Sequence, residues 1–94
     1  MKDPVALSVV TEQTDSVSFM AQIVKHVTNP YSLWIELDGF DDQGVNVGRV
    51  EQGLSNWQSD TATATLSKPI GVTFTAYVWL FPDFTRPVSN VLAL

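Results

Sequence analysis

The chain has 94 residues, enough for one domain, and its 45 % hydrophobic and 16 % charged content is that of a folded protein. Formal charge is −5, and the firm cations Lys2, Lys25, Arg49, Lys68 and Arg86 stand singly, which excludes the concentrated basic footprint of a nucleic-acid binder. The absence of cysteine excludes disulfide scaffolds, thiol catalysis and thiolate metal sites, and no run approaches the roughly 20 apolar residues of a membrane-spanning helix.

The opening, MKDPVALSVV, has one lysine and no apolar core of secretion-signal length. Residues 1–4 read as a tail ahead of a single domain over 5–94. No segment of useful length has helical period; short β-rich runs alternate with turn chemistry instead. The first strand is expected over 5–11, followed by the turn EQTDS and a long second strand over 17–27. On that strand Val17, Phe19, Ala21, Ile23 and Val27 share one face, with Lys25 interrupting it. TNPYS is a turn, because Pro30 fixes its own φ and holds Asn29 extended.

A third strand is expected over 33–38, with Leu33, Ile35 and Leu37 on one face and Trp34 and Glu36 on the other. DGFDDQG is a loop. The fourth strand, 45–50, is weakened by Gly48, as at an edge or a bulge. After an irregular stretch containing Trp57, a fifth strand over 59–66 turns Ala62, Ala64 and Leu66 inward and Thr61, Thr63 and Thr65 outward. SKPIG leads into VTFTAYVWLF, a sixth strand over 72–81. Phe74, Ala76, Val78 and Leu80 face the core there, leaving Tyr77, Trp79 and Phe81 on the opposite side. PDFTRP is a turn, and the seventh strand covers 88–94, its apolar edge expected to be paired.

The strand count, the turn spacing and the closing FTAYVWLFPDFTRPVSNVLAL resemble small bacterial and phage immunoglobulin-like or fibronectin-type-III-like domains. The resemblance runs from Val5 to Leu94 and includes the closing Val88-Ser89-Asn90. It implies an all-β, antiparallel sandwich of about seven strands in which the third, sixth and seventh share a sheet and the third and sixth are neighbours. Two marks of the antibody type are missing: the inter-sheet cysteine pair, and a tyrosine near the start of the sixth strand. In that topology Trp34 stands beside Tyr77, Trp79 and Phe81, since cross-strand neighbours lie about 5 Å apart.

Three explanations compete for that aromatic row. The chain's own loops cover it, with Trp57 completing a second small core; or the rings are cross-strand pairs that stabilise the sheet; or they form an interface, as large exposed apolar patches do. Asp38, Asp41 and Asp42 lack the spacing of a calcium loop. His26, the single histidine, has no metal-binding companions nearby. No nucleophile elbow is present, so no enzymatic activity, cofactor or metal is expected.

The leading expectation is a non-enzymatic module acting by protein–protein contact, through self-association or neighbouring structural subunits, in a larger assembly. A virion or extracellular surface is the expected setting, with a capsid decoration or cement protein or a tail accessory as the type. Trp34, Tyr77, Trp79, Phe81 and Trp57 are the expected interaction residues. A carbohydrate-binding module using exposed Trp and Tyr, and a spacer from a secreted enzyme or adhesin, are the alternatives.

Overall fold

Period-two alternation becomes seven strands in the computed structural model, which describes residues 3–81 and 87–94. They are β1 (Val5–Glu12), β2 (Ser16–Ile23), β3 (Leu33–Phe40), β4 (Asn46–Gly53), β5 (Thr61–Ser67), β6 (Thr73–Leu80) and β7 (Leu92–Ala93). Among the described residues there is no α-helix, only a 3-10 turn at Pro30–Ser32. Asn29 precedes that turn in extended backbone, and its side chain accepts from the Tyr31 N–H.

The strands divide into two antiparallel sheets, β1-β2-β5 and β4-β3-β6-β7, the arrangement of a β-sandwich. Each sheet contributes one apolar face to a shared core. Val5, Leu7, Val17, Phe19, Ala21, Ala62, Ala64 and Leu66 come from the first; Leu33, Ile35, Leu37, Ala76 and Val78 come from the second. In the β3–β6 ladder Leu33 pairs with Leu80, Ile35 with Val78 and Leu37 with Ala76. Even-numbered positions of β6 therefore line the interior, as alternation requires. Phe74 stands at the rim, half-buried, with the Lys68 ammonium 5.4 Å from its ring centroid.

Several boundaries differ from the sequence expectation. β2 ends at Ile23 rather than continuing to residue 27, because the N–H groups of Val24 and Lys25 both turn to the Pro4 carbonyl. β3 and β4 run on to Phe40 and Gly53. The largest change is at the end of the chain. β7 is two residues long, and the segment before it closes the sandwich rather than pairing as regular strand.

In that segment the Val5 N–H donates to the Val88 carbonyl, and the Val88 N–H donates to Val78. The buried Ser89 hydroxyl accepts from the Val78 N–H at 2.8 Å. The Asn90 side chain both accepts from the Leu7 N–H at 2.8 Å and donates to the Leu7 carbonyl at 2.9 Å. A single amide thus stands in for one residue of strand at the β1 edge. The expected turn across residues 82–86 lies outside the described residues.

The opposite end is closed by Pro69-Ile70-Gly71. This loop crosses Gly39 on β3 and Gly48 on β4, which pair with each other. A Cβ on Gly39 would overlap the Ile70 carbonyl oxygen, and one on Gly48 would stand 2.7 Å from that atom. Gly48 is therefore explained by a close backbone approach. The bulge lies one step further along, where Phe40 pairs with Asn46.

Candidate functional site: the outer face of the four-stranded sheet

Pairing the odd positions of β6 with the even positions of β3 creates a second face, turned away from the core. Trp34 stands opposite Trp79, Glu36 opposite Tyr77, and Asp38 opposite Thr75. On the other side of β3, Gly53 pairs with Trp34, Glu51 with Glu36, and Arg49 with Asp38. The strands thus present three cross-strand rows: one of tryptophans over glycine, one of two glutamates and a tyrosine, and one of an arginine–aspartate pair.

In the first row the indoles of Trp34 and Trp79 stack with centroids 5.7 Å apart and planes 15° from parallel. Gly53 makes room beside them: a Cβ there would lie 3.5 Å from the Trp34 ring. Stacking leaves Trp79 only 7 % exposed although it is not between the sheets. Offset pairs of this kind add stability beyond the area they bury.

The second and third rows are joined by hydrogen bonds. Tyr77 donates its hydroxyl proton to Glu36 Oε2 at 2.6 Å. Arg49 Nε lies 3.2 Å from Glu36 Oε2 and 3.2 Å from Asp38 Oδ1. Glu36 is 4 % and Asp38 7 % exposed, so both carboxyls are withdrawn from water beside a guanidinium that is itself half exposed. Burial, with the Asp38 carboxyl next to it, pushes Glu36 above the usual carboxylate range. Burial and the bond to Glu36 likewise raise the Tyr77 hydroxyl. The charge of Glu36, with Asp38 alongside, raises Arg49. Glu36, Arg49, Glu51, Tyr77 and Trp79 line a hollow of about 330 Å³ on this face.

The raised carboxyl fixes the sign of a pH effect. Unfolding returns Glu36 to its ordinary pKa of 4.5, whereas the folded chain keeps the proton to higher pH. Its contribution to stability is full below pH 4.5 and is lost as pH rises through the folded value. Urea midpoints should fall over that window in the native chain. Glu36→Gln, which preserves an acceptor for Tyr77, should flatten the fall. Parallel pH curves for the two chains would contradict this origin.

Of the residues expected from sequence, Trp34, Tyr77 and Trp79 come together here. Phe81 follows β6, is 53 % exposed, and its N–H donates to the Ser32 carbonyl. Trp57 does not join them. It packs against the core, and its indole N–H reaches the carbonyls of Pro30 and Leu54, each at 3.1 Å.

The acidic loop also separates. Asp38 belongs to the sheet, while Asp41 Oδ1 accepts from the N–H groups of Gln43 and Val45 and shapes the β3–β4 turn. His26 is exposed. Among the described residues, no group of three or more His, Cys, Asp or Glu is arranged to hold a metal ion, and no helix is long and apolar enough to cross a membrane.

Sequence reading missed Glu36, Asp38, Arg49 and Glu51 as a unit. The available signal was a pair of same-face acids, Glu36 and Asp38, on a strand joined by a short loop to a second strand carrying Arg49 and Glu51 on one face.

Fold and face together define a class: a small all-β protein of two antiparallel sheets, one of which carries an aromatic and acidic outer surface. No protein-family model, curated protein or solved structure matches the chain.

Proposed function

We propose that this protein is a non-enzymatic interaction module of immunoglobulin-like or fibronectin-type-III-like design. It acts by protein–protein contact within a larger assembly, and the outer face of the four-stranded sheet is its docking surface. The observation that carries the reading is the construction of that face. Trp79, stacked on Trp34, lines a hollow together with Tyr77, the buried Glu36 carboxyl, Arg49 and Glu51, and none of these side chains belongs to the sandwich core. Rigid aromatics bordered by polar groups are the usual make-up of a protein interface. The strand order supports the family likeness, since β3, β6 and β7 share a sheet with β3 and β6 adjacent.

A particle such as a virion, with this chain as a decoration, cement or tail accessory protein, is the assembly we put forward. The carbohydrate alternative draws less support: Trp34 and Trp79 spend a ring face on each other, and Trp57 is turned to the core. The test is co-sedimentation of the chain with its native assembly. Glu51→Lys, on the proposed face, should abolish association. Thr63→Lys, on the outer face of the other sheet, should leave it unchanged. Equal retention of both variants, or a chain that never leaves the monomer fraction, would refute the reading.

A further inference from the structure

We propose that the hollow bounded by Glu36, Arg49, Glu51, Tyr77 and Trp79 seats a basic side chain, lysine or arginine, presented by a partner protein. This rests on the reading of the sheet face as a docking surface and adds the chemistry of the partner.

Charge is the first reason. Glu36, Asp38 and Glu51 project from neighbouring positions of β3 and β4, and Arg49 is the one cation among them. Glu36 and Glu51 stand directly opposite each other in the ladder, an arrangement that destabilises a sheet by itself. Arg49 answers Glu36 and Asp38 only; among the described residues Glu51 forms no ion pair. A cation entering beside Glu51 meets one carboxylate without a partner and a second, Glu36, whose Oε2 is already shared between Tyr77 and Arg49.

The walls are the second reason. Tyr77 and Trp79 line the same space, and aromatic rings attract ammonium and guanidinium groups. The volume, about 330 Å³, lies at the small end of ligand sites, suited to the end of one side chain. The donor set argues for an organic cation over a metal ion, because no three-ligand group is present among the described residues. A second copy is a poor occupant, since each chain carries −5 and two such surfaces repel.

Binding should also be linked to protons. The groups facing Glu36 are Asp38 on its own strand, Arg49 and Glu51 on β4, and Tyr77 on β6. A seated cation favours the ionised form of Glu36, so affinity should increase as pH rises through the raised pKa of the folded chain and Glu36 loses its proton.

The experiment is a two-dimensional NMR titration of the intact chain with N-acetyl-lysine methylamide and N-acetyl-arginine methylamide. The uncharged N-acetyl-norleucine methylamide serves as the control. Saturable shifts confined to residues around Glu36, Glu51, Tyr77 and Trp79 are expected with at least one cationic probe and not with norleucine. Glu51→Gln should weaken that binding about threefold, and added salt should weaken it further. Glu51 is exposed, so this variant should retain the native spectrum elsewhere.

No saturable shift with either cation, or equal shifts with norleucine, would overturn the proposal. If the cations fail while Glu51→Lys still blocks co-sedimentation, the face docks a partner through other chemistry and only this inference falls. If Glu51→Lys has no effect on co-sedimentation, the docking face falls with it.

Discussion

Phe19→Ala is expected to lower the free energy of unfolding by about 3–5 kcal/mol. Phe19 is 1 % exposed and sits on β2 directly opposite Ala64 of β5. Ala21 and Ala62, further along the same ladder, are also small. Short neighbours cannot reach into the space a phenyl ring vacates, so the void persists and the cost falls toward the upper end of the range. A domain of this size has roughly 5–15 kcal/mol in total, which makes the variant marginal and best measured by urea titration in the cold. A loss under about 1 kcal/mol would mean that the two sheets close over the gap, and that Phe19 is not the element holding them apart.

Gly39→Ala is expected to cost about 3 kcal/mol, from overpacking rather than a void. The added methyl would overlap the Ile70 carbonyl oxygen, a backbone atom with little freedom to withdraw. In the same loop, Gly71 lies tight against the β3 backbone. It has φ +155°, and a Cβ there would stand 2.8 Å from the Phe40 nitrogen. One residue on, the Val72 N–H donates to the Phe40 carbonyl at 2.7 Å. Gly53→Ala is the internal control, because its methyl would meet only the Trp34 ring at an ordinary 3.5 Å. Equal unfolding midpoints for the two variants would show that the Pro69–Gly71 crossing yields easily.

Alternation makes the faces of β3 and β6 legible in the sequence alone. A strand with period two has two sides, and Ile35, Leu37, Ala76 and Val78 could only belong inside. What lies on the other side was harder to read. Alternation assigns Trp79 to the outer face but does not say that Trp34 lies flat against it and removes most of it from water. That follows from the unbroken β3–β6 register, which sets Trp34 opposite Trp79; the β3–β4 ladder, with its bulge where Phe40 pairs with Asn46, separately sets Arg49 opposite Asp38.

Long-range backbone contacts were equally hidden. Gly48 reads as a weak point in a strand, and only the passage of Ile70 across it gives the reason. Val88-Ser89-Asn90 reads as strand, yet side chains take over the pairing there, through Ser89 to Val78 and Asn90 to Leu7. Trp57 carried no alternation signal, and three-dimensional closure turned it to the core instead of the aromatic row.

The decisive measurement is photo-crosslinking in the protein's native setting, from a photoreactive residue placed at position 51 and, separately, at position 63. A docking sheet face requires position 51 to capture one neighbouring protein reproducibly, while position 63 captures none. Labelling from position 63 alone, or no crosslink from either site, would show that Tyr77 and Trp79 only brace their own sheet.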